Sequence, residues 1–224
     1  MSFIEVKDLT KIYSVGGKNI FAVNNVSFSL REKEFTILFG PSGSGKTTLL
    51  MLLAALIKPN KGHIYVRGQD IIKFSEDEAA LWRRKNVGFI FQTINLVDFL
   101  NVLENVMLPL YTAKIDVHEL REKALKLIKR VGLEERVKHK PSQLSVGEQQ
   151  RVAIARALIN NPEIVLADEP TAHLDLETGR KIISLMKELR DEYGTTFIVA
   201  THDPEIVSMA DRTIKMRDGR VILS

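Results

Sequence analysis

The segment Gly40-Pro41-Ser42-Gly43-Ser44-Gly45-Lys46-Thr47-Thr48 constrains this chain more than any other part of it. Its spacing is Gly-x-x-x-x-Gly-Lys-Ser/Thr, in which glycines let the backbone curl until successive N–H groups point at one phosphate. An almost continuous apolar run, Phe35-Thr-Ile-Leu-Phe39, comes before it, and the apolar stretch Leu49 to Ile57 comes after. That order predicts a strand buried on both faces, a tight turn and a helix. A helix starting near Gly45 adds the positive end of its dipole. Lys46 is then placed to reach the β- and γ-phosphates of a nucleotide, and the Thr47 hydroxyl to ligate Mg2+. A glycine-rich turn that merely joins strand to helix is the other reading, and this context opposes it.

Further apolar runs at Val87 to Phe91, Ile164 to Ala167 and Thr196 to Ala200, separated by helical patterns, predict a parallel α/β sheet. The opening third reads as strands, with Ala22 to Leu30 alternating as a strand with one wet face does. Ser75 with Glu78 forms a capping-box pattern that opens a short helix through Trp82. Asp116 with Glu119 does the same for a longer helix, stopped by Gly132. Glu148 to Asn160 and Leu176 to Tyr193 are two more helical stretches. From Gln92 to Asn160 the chain reads as almost wholly helical, a subdomain (about 92–160) set into an α/β core of 1–91 and 161–224.

Composition excludes several classes. The 224 residues contain no cysteine, so disulfides, thiolate nucleophiles and cysteine metal sites are out. A net charge of +4 arises from 32 basic and 28 acidic residues that are interspersed, which reads as a solvated surface; no nucleic-acid partner is expected. The longest apolar run falls far short of the roughly 20 residues that cross a bilayer. The start, MSFIEVKDLTKIY, lacks the pattern of a secretion signal. A soluble, cytoplasmic chain is expected.

A second part of a nucleotide site is an apolar strand that ends in an acidic residue. Ile164-Val-Leu-Ala-Asp168-Glu169 supplies it. Asp168 falls at the strand's C-terminal end, where ligands bind in open α/β sheets, and suits the Mg2+ shell. Glu169 follows directly and suits a general base for water attacking the γ-phosphate, a contribution of about 10²–10⁴ in rate. Alone, Glu169 would read as a surface or capping carboxylate. The phosphate loop leaves open which nucleotide is bound and what its hydrolysis drives.

Leu144-Ser145-Val146-Gly147-Glu148-Gln149-Gln150-Arg151 resembles the signature motif of ATP-binding cassette ATPases. Other motifs of that family stand in the expected order. Tyr13 matches the aromatic residue that stacks on adenine, Gln92 in Phe-Ile-Phe-Gln the Q-loop, and Leu174-Asp175 the D-loop. Asp168 and Glu169 match the acidic pair, and His202 in Thr-His-Asp the switch histidine. The resemblance implies a P-loop NTPase fold with a mainly parallel sheet core, an N-terminal antiparallel β part and an inserted α-helical subdomain. It implies catalytic roles for Glu169, His202 and Gln92, and Mg2+ ligation by Thr47, Gln92 and Asp168. It also implies an ATP-dependent homodimer in which Ser145, Val146, Gly147 and Glu148 of one chain address the ATP held by the other.

The residues themselves leave room for plainer readings. Ser145 alone would be an ordinary helix N-cap, Tyr13 plain strand packing, and an isolated His202 structural. Trp82, Phe89 and Phe91 read as packing or core. The sequence departs from the family pattern in two places: Val146 stands where glycine is usual, and His173 occupies a D-loop position usually small or amide. With no His or Cys at metal spacing, His173 reads as a passive contact.

Between Gln92 and Ser145 there are no sustained heptads, unlike the chromosome- and repair-type relatives, and there is one signature, unlike the translation-factor relatives. A transport motor with a separate integral membrane permease subunit is therefore implied, peripheral on the inner face of the cell membrane. Arg83 to Gln92 and Leu103 to Leu110 look like the cassettes of lipoprotein-release and macrolide-type export systems. A cell-division-type cassette, which drives a membrane protein that activates a wall hydrolase, stays open as the other reading. An apolar stretch after Gln92 (Ile94, Leu96, Val97, Phe99, Leu100, Val102, Leu103) is the candidate docking surface, with about half of it expected in the core.

Overall fold

The structure is a computed structural model and describes residues 2–111, 113 and 115–222. In chain order the elements are β1 Ile4–Val15, β2 Lys18–Leu30, β3 Phe35–Phe39, α1 Lys46–Leu53, β4 Lys61–Val66 and β5 Gln69–Asp70. There follow α2 Glu76–Asn86, β6 Val87–Ile90, α3 Val102–Met107, α4 Val117–Arg130, α5 Val146–Leu158 and β7 Ile164–Asp168. The chain closes with α6 Leu176–Tyr193, β8 Thr196–Thr201, α7 Pro204–Val207, β9 Arg212–Arg217 and β10 Arg220–Ile222.

Two sheets are present. One is antiparallel, in the order β2-β1-β4-β5. The other has the order β10-β9-β3-β8-β7-β6 and is parallel except for the β9–β10 hairpin. The central strands β3, β7 and β8 are buried almost throughout, as their unbroken apolar runs require, because helices or the other sheet cover both faces. Leu38, Leu166 and Ile198 face a cluster with α1 and the antiparallel sheet. Phe35, Ile37, Val165 and Phe197 face the other cluster, which continues without a break into α3, α4 and α5.

The fold agrees with the expected α/β class, including the antiparallel part and the inserted helices. Several boundaries differ. The apolar run Leu49–Ile57 is not one helix: α1 begins at Lys46 and ends at Leu53, and Ala55 turns left-handed at φ 50°. Of that run beyond Leu53 only Ala54 is buried, and Leu56 is exposed, so the apolar run does not mark a continued helix face. Helix α2 runs four residues past Trp82, to Asn86, because the basic residues Arg83, Arg84 and Lys85 suit a helix C-terminus.

The stretch 92–160 is less helical than expected, since Gln92 to Asn101 forms an irregular loop before α3. The signature helix spans Val146–Leu158 rather than Glu148 to Asn160, with Ser145 as its N-cap. Asp116 does cap α4, accepting from the amides of His118 and Glu119 at 2.9 and 3.2 Å. That cap is one-sided, unlike the reciprocal boxes at Ser75, Asn101 and Ser145. Gly132, at φ 70°, follows the α4 terminus as expected.

Candidate functional site

The phosphate loop joins the C-terminal end of β3 to α1, and its neighbours explain its composition. Gly45 is the N-cap of α1 at φ 100°, and a Cβ there would lie 2.1 Å from the Ala22 carbonyl oxygen. This glycine therefore serves the left-handed turn and the close passage of β2 as well as any phosphate. The loop lines a cavity of about 500 Å³ together with Ile20, Phe21 and Ala22 of β2 and with Gln92, Glu169 and His202. Asp218 and Gly219, in the turn after β9, complete it.

Inside, Lys46 is buried, and its Nζ donates to the carbonyls of Gly40 at 2.7 Å and Pro41 at 3.1 Å. It also lies 3.4 Å from Glu169 Oε1. Glu169 takes the left-handed conformation at φ 46°, held by its N–H donating to the Ala200 carbonyl at 2.9 Å. This conformation is costly for a residue with a side chain and turns Glu169 out of the strand direction that Asp168 follows. Its Oε2 meets His202, the backbone N–H donating at 3.3 Å and the ring Nδ1 standing at 3.0 Å. Lys46, Glu169 and His202 thus form one connected polar chain across the cavity.

Asp168 is 5% exposed, and its Oδ1 makes no hydrogen bond. Burial pushes its carboxyl above the ordinary range; the Thr47 hydroxyl opposes this, Glu169 adds to it, and Lys46 opposes it. The Ser44 hydroxyl is likewise buried without a partner. Two orphaned oxygens beside a loop of N–H donors call for a ligand that brings both a cation and hydrogen-bonding groups.

The signature residues lie elsewhere. Ser145, Val146, Gly147 and Arg151 line a second cavity of about 650 Å³, with His173, Leu174, Asp175 and Thr178. The lining of this cavity shares no residue with that of the phosphate-loop cavity. Ser145 and Glu148 are locked in a reciprocal cap, Ser145 N–H donating to Glu148 Oε2 at 2.8 Å and Glu148 N–H to Ser145 Oγ at 3.3 Å. That backbone bond to Ser145 leads the causes that hold the Glu148 carboxyl below its ordinary range. Asp175 caps α6 through the Thr178 amide at 2.9 Å. His173 lines the same cavity, and Val146 is exposed to solvent.

The model of the family described as ABC transporter matches residues 23–172. The chain belongs to the ABC transporter family. A structure of the cassette MJ0796 of Methanocaldococcus jannaschii, a dimer in a post-hydrolysis state bound to ADP and Pi, superposes with a TM-score of 0.90 at 44% identity. That match covers 98% of this chain and 97% of the other. The lipoprotein-releasing system ATP-binding protein LolD of Idiomarina loihiensis is 42% identical over 97% of this chain and 96% of its own length. The macrolide export ATP-binding/permease protein MacB of Hyphomonas neptunium is 44% identical over 98% of this chain, which spans 34% of that longer protein.

Within the ABC cassette, the structure brings together most of the residues singled out in the sequence: Ser42 to Thr48, Gln92, Glu169 and His202 share one cavity, whereas Gly40, Pro41 and Asp168 are not among its lining and Asp168 reaches it through a hydrogen bond with Thr47. Tyr13 is not among that cavity's lining. It pairs with Ile20 across β1 and β2, is half-exposed, and carries Lys11 Nζ 5.4 Å from its ring centre. Ile20 and Phe21 of β2 line the cavity instead, and apolar strand residues carry no sequence signal for that task.

Asn105 and Arg156 both hold the loop after Gln92. Asn105 is fully buried, accepts from the Val97 amide at 2.8 Å and donates to the carbonyls of Val97, Leu100 and Asn101. Arg156, on the signature helix α5, donates to the carbonyls of Ile94 and Asn95 at 2.7 and 2.6 Å. Both of those residues are left-handed, at φ 62° and 50°. Burial lowers the Arg156 guanidinium from its ordinary value, so the two carbonyls are its compensation. An asparagine and an arginine on helical patterns carry no sequence signal for such a task.

Proposed function

We propose that this cassette hydrolyses ATP between two copies of itself, each copy supplying the phosphate loop to one ATP and the signature to the other. The observation that carries this is the separation of the two linings: phosphate loop and signature of one chain open into different cavities. The start of α5 has Ser145 and free N–H groups of its first turn, which suit an anion, yet that anion cannot be the nucleotide on the same chain's phosphate loop. A second copy brings the two halves together, in keeping with the dimeric relative bound to ADP and Pi.

In this reading the loop N–H groups and Lys46 grip the phosphates, with Lys46 exchanging its loop carbonyls and Glu169 for phosphate oxygens. Glu169 takes the proton of the attacking water, and His202 keeps its carboxylate aimed. Thr47, Asp168 and Gln92 would hold Mg2+; the unpartnered Asp168 oxygen and the all-oxygen donor set fit this hard cation. The chemistry supplied there by the cation would be neutralisation of phosphate charge. Tyr13 takes the adenine from the outer edge of the cavity, next to Ile20. Asp175 fixes the start of α6 at the dimer seam.

Residues 92–160 form the helical subdomain and 1–91 with 161–224 the core. No helix of the described residues is long and apolar enough to cross a membrane. We place the cassette on the inner face of the cell membrane, driving an integral permease partner of the lipoprotein-release or macrolide-export kind. Its docking surface is the loop after Gln92. Ile94, Val102 and Leu103 are core there, whereas Phe99 is 76% exposed, presented by the turn that Asn105 holds shut.

The composite site is tested by mixing two inactive chains. Lys46→Ala and Ser145→Arg homodimers should both be inactive, whereas each heterodimer in a mixture should recover up to about half of a wild-type dimer's activity, since one of its two composite sites is intact. Absence of recovery in verified heterodimers refutes the two-chain arrangement. For the membrane contact, Phe99→Asp should abolish co-purification with the permease and leave the isolated cassette's melting temperature and basal ATPase rate unchanged. Leu100→Asp, at a half-buried position, should do the same at some cost in stability. Intact pairing in both places the docking surface elsewhere.

A further inference from the structure

The turn between β9 and β10 lies far along the chain from the phosphate loop yet touches it directly. Gly219 N–H donates to the Ser44 carbonyl at 3.1 Å, and the Asn24 N–H of β2 donates to the Gly219 carbonyl at 2.8 Å. One residue therefore ties β2 to the phosphate loop through its own two backbone groups. Gly219 is left-handed at φ 74°, and a Cβ on it would stand 2.6 Å from the Phe21 carbonyl oxygen and 3.1 Å from that of Ala22. Its Cα lies 3.5 Å from where a Cβ on Gly45 would be. Three backbones meet here with no room for a side chain on either glycine. A side-chain link runs alongside: with its amide oxygen toward β10, Asn24 accepts from Arg220 Nε and Nη2, both at 3.2 Å.

This junction matters because of what each partner contributes to the cavity. The phosphate loop supplies N–H donors and Lys46, whereas the apolar side chains of the lining, Ile20, Phe21 and Ala22, come from β2 alone. A nucleotide has the same division into a polyanionic tail and an apolar base. The distance between the two walls has to match the length of the nucleotide, and the antiparallel sheet that carries β2 is separate from the sheet that carries the loop.

We propose that Gly219 is a positioning residue for nucleotide binding, holding the apolar wall of β2 at a fixed distance from the phosphate loop. The proposal rests on the ATP site described above. Gly219→Ala keeps the N–H that reaches Ser44 but sets a methyl group against two β2 carbonyls, so β2 shifts while the phosphate loop stays. The expected result is an ATP Kd weakened about tenfold, the scale of one lost base contact. KM for ATP rises accordingly, with a smaller change in kcat. Binding of inorganic tripolyphosphate, which has no base, should be unchanged.

Arg220→Ala leaves the backbone alone and removes only the Asn24 link. It should shift ATP affinity in the same direction by less, and it decides the matter if Gly219→Ala does not fold. Equal weakening of ATP and tripolyphosphate in the deciding variant, or no weakening of ATP, overturns the proposal. Failure of the underlying site would look different, as ATP affinity indifferent to Lys46→Ala.

Discussion

Glu169→Gln should bind ATP as well as the wild-type chain and lose hydrolysis by about 10²–10⁴, the usual contribution of a positioned general base. Glutamine keeps the size of glutamate, so the left-handed turn at φ 46° and its amide bond to Ala200 need not change. The neutral side chain still meets His202, but it cannot take a proton. Two further consequences follow from the surroundings. Lys46 loses its anionic neighbour at 3.4 Å, which leaves the loop carbonyls of Gly40 and Pro41 to compete with phosphate for it. Asp168 is untouched, so the cation ligand set survives. ATP that is bound and not consumed should keep two copies closed, and gel filtration with ATP should show the variant moving from monomer to dimer. Near wild-type turnover would remove Glu169 from its assigned role.

Ser145→Arg should abolish ATP hydrolysis while leaving the affinity for a first ATP nearly unchanged. The substituted side chain enters the cavity lined by Gly147, His173 and Asp175, not the one lined by Lys46 and Thr47. A long cation at that point obstructs the approach of a second copy's nucleotide. The change also removes the Ser145–Glu148 cap, which costs the helix about 1 kcal/mol. That loss is too small to unfold a domain held by a continuous core, and a thermal melt separates it from the catalytic effect. If nucleotide binding by the monomer fell as far as in Lys46→Ala, the signature would belong to the chain's own site.

How much of this was legible in the residues differs from place to place. The phosphate loop, the Asp168–Glu169 pair and the cap at Ser75 were readable because their chemistry is local. A run of glycines, a strand ending in carboxylates and a Ser-x-x-Glu spacing each act over a few positions. The parallel sheet was readable for the same reason, since β3, β7 and β8 are apolar without alternation and only a doubly covered strand can be. Sequence also placed the exposed Phe99 in a stretch too apolar for one helix face to bury.

Tertiary structure decided what lies between distant segments. Burial alone leaves Asp168 Oδ1 without a partner, and neither is visible in the sequence Ala-Asp-Glu. Asn105 and Arg156 act on backbone carbonyls of a loop whose left-handed turns at Ile94 and Asn95 no propensity scale predicts. Gly219 sits in an Asp-Gly turn that reads only as a hairpin signal; its bond to Ser44 exists because β9 pairs with β3, the strand that leads into the phosphate loop, and its bond to Asn24 because β2 of the other sheet passes over the same turn. Local sequence determines the chemistry a residue can offer. Which other groups it meets depends on how far apart along the chain the packed segments are, and that separation leaves no pattern in any short window of residues.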